Sequence, residues 1–171
     1  MVRVFDMLAV CVMATACTCS AADNWEVLPA GIGPIKFGMK LSELKTALHL
    51  SYSIEWAQDS DQKTCFYANL HGQSGISLMI LNGRVARVDI DNQDTQTVEG
   101  IHNGDLEAHA LSVYGKRMKV TPHAYTAPEG HYLTVHAPDG KYGIRFETDQ
   151  GKVVRYYAGR VDAISYIEGC E

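Results

Sequence analysis

The sequence contains an internal repeat, and this repeat limits the possible folds more than any other feature. Two segments share the pattern I-x2-G-x5-φ-x2-φ-φ, where φ is apolar; one begins at Ile35 and the other 66 residues later at Ile101. A second pair begins at Gly75 and, 68 residues later, at Gly143, and each leads through a turn to V-x-R-φ. Chance similarity of two hairpins is the alternative. Because the offset hardly changes, we expect two diverged copies of one structural unit.

The two units occupy residues 29–97 and 98–160, and a C-terminal tail occupies 161–171. Each unit has apolar residues at helical spacing, followed by strand-like runs separated by turns such as Asn82-Gly83 and Gln150-Gly151. The predicted fold class is therefore α+β and β-rich: two tandem repeats, each a short helix packed on a three- or four-stranded antiparallel sheet. The helical segments are 40–49 and 105–114, and the strand-like runs are 64–71, 75–81, 84–91, 130–136, 141–148 and 152–158.

The strand runs alternate between apolar and polar residues, which assigns one sheet face to the core and the other to the outside. The predicted inward residues are Phe66, Ala68, Leu70, Ile76, Leu78, Ile80, Ala86, Val88, Ile90, Leu133, Val135, Ile144, Phe146, Val154 and Tyr156. The predicted outward residues are Tyr67, Asn69, His71, Met79, Arg87, Asp89, Tyr132, Thr134, His136, Arg145, Glu147, Arg155 and Tyr157.

The outward residues are rich in Tyr, His and Arg, and several match between the units. Tyr and Arg are enriched among the residues that dominate protein interfaces, so we interpret this stripe as a protein-recognition surface. The alternative is that these residues only make cross-strand pairs on a solvated sheet face. A neighbouring loop at residues 126–131 could extend the surface. The candidate partner-binding residues are Tyr67, His71, Tyr132, His136, Arg155, Tyr157, Glu129 and His131.

Residues 1–22 have the pattern of a signal peptide. Arg3 supplies the positive start, and an apolar run too short to anchor in a bilayer leads to small residues at the expected cleavage site. A buried N-terminal core helix and a lipoprotein with its lipid on Cys17 are the alternatives. Beyond residue 22 the cysteines are Cys65 and Cys170, and an even number in an exported chain predicts a disulfide. That bond would tie the tail back to the first unit.

Composition and motifs exclude several function classes. The formal net charge of -5 provides no basic footprint for nucleic acid. No HExxH motif occurs, and Gly72-Gln73-Ser74-Gly75 lies in a hairpin turn with no helix after it. We therefore predict no enzyme, no cofactor and no membrane span. Residues Asp89–Asp94 are similar to a calcium loop, but Gln93 takes the third ligand position; an exposed polar linker is the default and calcium binding stays open.

The Ile-x-x-Gly-helix opening, with Gly38-Met39 in the first copy, resembles the tandem-repeat fold of the β-lactamase inhibitory protein and its relatives, including the BamE-like outer-membrane lipoproteins. In that group a helical hairpin packs on one face of the sheet, and two units can form a concave surface that clasps a partner. This sequence departs from the group in having clearly only one helix per unit.

The whole sequence is also similar to small exported proteobacterial proteins with the motifs GIRFETD, AGR and YIEGC, here at 143–149, 158–160 and 166–170. These resemble periplasmic immunity proteins that protect a bacterium against type VI secreted peptidoglycan amidases. The resemblance implies a periplasmic inhibitor that forms a one-to-one complex and blocks the Cys/His site of the amidase. Tyr67, Tyr132, Arg155 and Tyr157 would then be anchors, and the loop at 126–131, or its rival at 58–63, would enter the active-site cleft.

Two other functions stay open. An envelope-assembly scaffold would use the same face on a resident partner. A glycan-binding module would use Trp56 and the outer tyrosines to stack on sugars. The sequence does not determine the partner's identity, nor whether the unbound chain is a monomer or a dimer.

Overall fold

The computed structural model describes residues 25–56 and 64–170. The predicted signal peptide, Cys17 and the segment 58–63 lie outside the described residues. In chain order the elements are β1 (Val27–Leu28), β2 (Gly31–Ile32), β3 (Ile35–Lys36), α1 (Leu41–Thr46), β4 (Tyr52–Trp56), β5 (Cys65–Leu70), β6 (Ile76–Leu81), β7 (Arg84–Ile90), α2 (Glu107–Tyr114), β8 (Met118–Pro122), β9 (His131–His136), β10 (Tyr142–Asp149) and β11 (Lys152–Arg160), with short 3-10 helices at Gly115–Arg117 and Ala163–Ser165.

Eight of these strands form one antiparallel sheet in the order β4-β5-β6-β7-β11-β10-β9-β8. Each half of the sheet is a meander whose strands follow one another along the chain, as the turn residues between them predict. The halves join where β7 pairs with β11, from Tyr156 opposite Ile90 to Gly159 opposite Arg87. The prediction of a β-rich α+β fold is confirmed. β1, β2 and β3 form a separate small sheet that the sequence reading did not anticipate.

Each half of the sheet contains one β-bulge, and each bulge contradicts one of the predicted inward assignments. Met79 pairs with Arg87 but the next residue pairs with Val85, so Ala86 is the extra residue. Val154 is the extra residue in β11 in the same way, since Glu147 pairs with Arg155 and Thr148 with Val153. A bulge shifts the alternation by one residue. Ala86 therefore packs with the outer-face residue Met79, and Val154 is 52% exposed, so both predictions were wrong.

The main core lies between one face of the eight-stranded sheet and the helices. Leu44 of α1 and Ala110 and Tyr114 of α2 pack on apolar residues from both halves, including Leu78 and Phe146. Each large apolar side chain buried here contributes about 1.5 to 3 kcal/mol to folding. Because this cluster is continuous across the β7–β11 junction, the two halves stabilise each other.

The tail, residues 161–170, crosses the sheet face opposite the helices. Its 3-10 helix packs on β7, β10 and β11, and Ile164 lies so close to Gly143 that a Cβ there would come within 2.9 Å of its Cδ1 atom. Cys170 is bonded to Cys65, and their Cα atoms are 5.4 Å apart. The predicted disulfide is confirmed, and with it the return of the tail to the first half of the sheet.

Candidate functional site

The candidate site is the sheet face that α1 and α2 do not cover, called the outer face below. Its residues alternate with core residues along each strand, so their position follows from the period of two in the sequence. The tail covers the end of this face where β7 begins and β11 ends. The opposite end carries the β8–β9 loop (residues 123–130) and has no such cover among the described residues.

Arg87 holds the tail against the outer face. Arg87 is 3% exposed, and its Nη1 atom donates hydrogen bonds to the carbonyl oxygens of Ala163 and Tyr166, each at 3.1 Å. Both carbonyls belong to the tail, so a residue of the sheet binds the tail directly. Arg87 was predicted to face outward; the structure confirms that direction but places the residue beneath the tail.

The same guanidinium gathers polar and aromatic side chains of the sheet. Its Nη2 atom donates to the Tyr67 hydroxyl at 2.9 Å and to Asp89 Oδ2 at 3.0 Å, and its Nε atom lies 2.6 Å from Asp89 Oδ1. The guanidinium carbon lies 4.3 Å from the centre of the Tyr157 ring, which is a cation–π contact. Arg87 thus contacts a carboxylate, a hydroxyl group and an aromatic ring at the same time.

Burial dominates the protonation equilibria of this cluster. It raises the pKa of Asp89 above the usual value, and the opposing effect of Arg87 does not fully offset it. Burial also raises the pKa of Tyr67 and Tyr157. The raised pKa means that desolvation destabilises the Asp89 carboxylate more than the Arg87 guanidinium stabilises it.

The β8–β9 loop end of the outer face contains a second aromatic cluster. The His123 ring stacks on Tyr132 with a centroid distance of 4.4 Å, and Arg145 Cζ lies 5.1 Å from the same tyrosine ring. His123 Nε2 lies 3.4 Å from Glu147 Oε2. These contacts cover Tyr132, which is only 6% exposed.

The structure separates the eight predicted binding residues by exposure. His71, His136 and Glu129 are exposed, and Tyr67, Arg155 and His131 are half-buried. Tyr132 is buried and Tyr157 is 1% exposed. The partner-binding role of all eight stays a prediction, but Tyr132 and Tyr157 cannot insert into a partner from the positions they hold. For the same reason they offer no open ring on which a sugar could stack.

His131 does not share the outer face with the other candidates. Its Nδ1 atom lies 3.1 Å from a Glu107 carboxylate oxygen at the start of α2, and Thr148 donates to the same carboxylate at 2.6 Å. His131 thus connects a helix to the sheet, whereas His136 is exposed at the other end of β9. Strand alternation explains why two histidines five residues apart face opposite ways.

A pocket of about 390 Å³ opens on the outer face beside the tail. One wall is a chain of hydrogen bonds across three strands: Ser77 Oγ donates to Asn69 Oδ1 at 2.7 Å, and Asn69 Nδ2 donates to Glu55 Oε2 at 3.1 Å. Arg87 and Asp89 also border the pocket. Tail residues 167–169 line it as well.

Arg87, Glu55 and Tyr125 were not among the predicted site residues. The repeat places Arg87 and Arg155 at equivalent positions, and only Arg155 was chosen as a candidate. In the structure Arg155 is half-exposed and lies 3.3 Å from Asp91 in a surface ion pair. Glu55 lies on β4, a strand that no sequence pattern indicated. Tyr125 directly precedes the loop segment 126–131. An aromatic residue next to this proline-containing loop was the signal in the sequence that could have added it to the candidates.

Residues Asp89–Asp94 are engaged in other contacts. Asp89 pairs with Arg87, and Asn92 Oδ1 accepts hydrogen bonds from the amides of Asp94 and Thr95. Within residues 25–56 and 64–170, no cluster of three or more His, Cys, Asp or Glu side chains could hold a metal ion. In the same ranges no helix is long and apolar enough to cross a membrane.

Comparison with known proteins places this fold but not its function. No protein-family model and no curated protein matches the chain. A solved structure of the uncharacterized protein yfeY from Escherichia coli matches with a TM-score of 0.51 and 13% identity, over 79% of this chain and 99% of that one. An extracellular SCP-domain protein from Bacillus anthracis str. Ames matches with a TM-score of 0.46 and 6% identity, over 91% of this chain and 51% of that one. The first likeness shows a related fold.

Proposed function

We propose that this chain is an exported inhibitor of a peptidoglycan-cleaving amidase, an immunity protein of the periplasm that occludes the active site of its partner. The resemblance carried by residues 143–149, 158–160 and 166–170 supports this class of protein. The bond between Cys65 and Cys170 is compatible with export to an oxidising compartment. The single observation that carries the proposal is the β8–β9 loop, which is both internally fixed and exposed.

Contacts within the chain fix the conformation of this loop. His123 Nδ1 accepts the backbone N–H groups of Tyr125 and Thr126, each at 3.2 Å. The Gly130 amide donates to the Thr126 carbonyl oxygen at 2.8 Å. A Cβ atom at Gly130 would overlap Thr126 Oγ1, so glycine is required there. The His123 ring is itself fixed by its stacking on Tyr132.

The outer side of the loop presents residues suited to an interface. Tyr125 is 68% exposed, and Pro128 and Glu129 are exposed beside it. Tyrosine is common at interface hot spots. Because the loop is already ordered, docking avoids much of the cost of immobilising side chains, about 0.5 to 1.5 kcal/mol each. These properties suit a segment that enters an active-site cleft.

The same proposal includes an origin by duplication of a unit with one helix and four strands. The β-bulges at Ala86 and Val154 support it, since both occur at the same position of the V-x-R motif. The order of elements from α1 to β7 is also the order from α2 to β11. Duplication would make the outer face a pair of related surfaces, of which the tail covers one end.

The test begins with the neighbouring gene, which we expect to encode a small Cys/His amidase, and then measures binding to that enzyme. The purified proteins should form a one-to-one complex in which hydrolysis of peptidoglycan stops. Tyr125→Ala and Glu129→Ala should each weaken the complex measured by calorimetry, with Tyr125→Ala costing at least tenfold, about 1.4 kcal/mol or more.

Leu106→Ala is the matched control, because Leu106 is also an exposed large apolar residue but precedes α2 on the helix-covered side. It should bind like the unaltered chain. A neighbouring gene unrelated to cell-wall cleavage, or full affinity in both loop variants, would reject the proposal. Binding of muropeptides without an amidase would instead favour the glycan-binding function, and a lipid on Cys17 with a resident envelope partner would favour the scaffold.

A further inference from the structure

The ring of His123 accepts two hydrogen bonds from the backbone of the β8–β9 loop. The amides of Tyr125 and Thr126 both lie 3.2 Å from its Nδ1 atom. A backbone N–H group can only donate, so Nδ1 must be the unprotonated nitrogen of the ring. The proton of the neutral ring is then on Nε2, which lies 3.4 Å from Glu147 Oε2. The loop in this conformation therefore requires one protonation state and one tautomer of His123.

The neighbours that hold the ring favour its positively charged form. Glu147 of β10 faces Nε2, and the side chains of His123 and Glu147 are only 11% and 13% exposed, so salt screens their attraction weakly. The ring also stacks on Tyr132 of β9, and a cation is favourable over a tyrosine ring. Arg145 of β10 opposes the charge from a position 5.1 Å from the Tyr132 ring. The loop itself contributes the Tyr125 ring, 6.0 Å from that of His123.

A second proton on this ring and the observed loop conformation exclude each other. A protonated Nδ1 becomes a donor that faces two other donors, so both hydrogen bonds to the loop are lost. The ring keeps Glu147 and Tyr132 as partners, so the loop is the part that moves away. The base of the loop stays closed, because the His123 amide donates to the Gly130 carbonyl oxygen at 3.0 Å in either state of the ring. Protonation therefore frees the segment 124–129 and leaves the strands paired.

We propose that His123 is the positioning residue of the β8–β9 loop and couples the shape of the loop to pH: the neutral ring holds the loop, and the protonated ring releases it. The inference deepens the proposed function, on which it rests, by naming a regulation of the loop that enters the amidase. Histidine in ordinary surroundings changes its charge between pH ~5 and pH ~8. Because the held loop carries one proton fewer than the released loop, a fall in pH favours release by up to about tenfold per pH unit.

The experiment is an NMR titration of the intact, oxidised protein from pH ~8 to pH ~5 without any partner. The nitrogen shifts of the ring identify its tautomer, and we expect the proton on Nε2 at the alkaline end. The amides of Tyr125 and Thr126 should change with the same midpoint as the His123 ring. Glu147→Gln keeps an acceptor for Nε2–H but removes the negative charge that favours the second proton, so the midpoint should move to lower pH.

His123→Asn separates the titration of the ring from its structural role. The asparagine Oδ1 atom takes the place of Nδ1 and can accept the same loop amides, as in an Asx-turn, but it binds no proton in this range. The loop amides of this variant should keep their alkaline shifts down to pH ~5. His49→Asn is the matched control: His49 is exposed just after α1, and its φ of +54° suits asparagine. The loop of this control should titrate as in the unaltered chain.

A proton on Nδ1 at pH ~8, loop amides that do not change down to pH ~5, or the same amide titration in His123→Asn would overturn the inference. Amidase binding separates it from the proposed function. The complex of the unaltered chain should weaken by about tenfold between pH ~7.5 and pH ~5.5, and comparison with His123→Asn cancels any titration of the amidase itself. The same pH dependence for both chains would reject the inference alone. A loop that titrates as expected in a chain that binds no amidase would reject the proposed function alone.

Discussion

Arg87 and Arg155 occupy the same position of the repeated V-x-R motif, yet their surroundings differ completely. Arg87 contacts two tail carbonyls, a carboxylate, a hydroxyl and an aromatic ring, whereas Arg155 contacts Asp91 at the surface. The tail accounts for the difference, because it covers the first arginine and leaves the second open. Identical residues in a repeat therefore need not share a role.

Substitution of each arginine by methionine should separate the two roles. Arg87→Met leaves Asp89 buried without its counter-ion, so the free energy of unfolding should fall by about 3 to 5 kcal/mol. Arg155→Met removes an exposed ion pair and should cost less than about 1 kcal/mol. Urea denaturation measures both. Adding Asp89→Asn to Arg87→Met should recover part of the loss; equal destabilisation by the two single variants would contradict this account.

The tail has little regular structure of its own and depends on what holds it. Arg87 binds its first part, and the Cys65–Cys170 bond fixes its end across a sequence separation of 105 residues. Gly143 on the outer face leaves the space that Ile164 of the tail occupies, since a Cβ atom there would come within 2.9 Å of Ile164 Cδ1.

Reduction of the disulfide should destabilise the whole fold. Opening a loop of this length costs about 4 to 5 kcal/mol in the chain-entropy model, so the urea midpoint should fall markedly in reductant. The Cys65→Ser/Cys170→Ser variant supplies the control, since it should match the reduced protein and not respond to reductant. A change below about 1 kcal/mol would mean that the Arg87 contacts alone hold the tail.

Buried tyrosines lie on both sides of the sheet and make the molecule sensitive to alkaline pH. Burial raises the pKa of Tyr114 and Tyr156 in the core and of Tyr157 on the outer face. Above pH ~10 the unfolded chain loses these protons while the folded chain keeps them. The unfolded state is then favoured, whereas at lower pH the full stability is retained.

The free energy of unfolding should therefore decrease above pH ~10, by up to about 1.4 kcal/mol per pH unit for each buried tyrosine. Denaturation curves across this range measure the slope. Tyr156→Phe should reduce the slope by one tyrosine's share, although it also removes the hydrogen bond to the Thr95 carbonyl. A flat profile in the unaltered chain would refute the explanation.

Local patterns were sufficient to predict much of the fold. Alternation placed Leu78 and Phe146 in the core and Tyr67 on the outer face, and the Asn82-Gly83 and Gln150-Gly151 turns predicted antiparallel pairing. These features were predictable because strand period and turn geometry depend on residues close together in the chain. The bulges at Ala86 and Val154 were not, since an extra residue in a strand is defined only by what pairs opposite it.

The sequence by itself determined the residue types on the outer face, the two cysteines of the disulfide and the β-rich fold class. Only the tertiary structure decided which of those outer residues a partner can reach. The path of the tail buries Arg87 and brings Glu168 into the lining of the same pocket as Glu55, a residue more than a hundred positions away. Contacts of that separation depend on the packing of the whole chain, which no local period encodes.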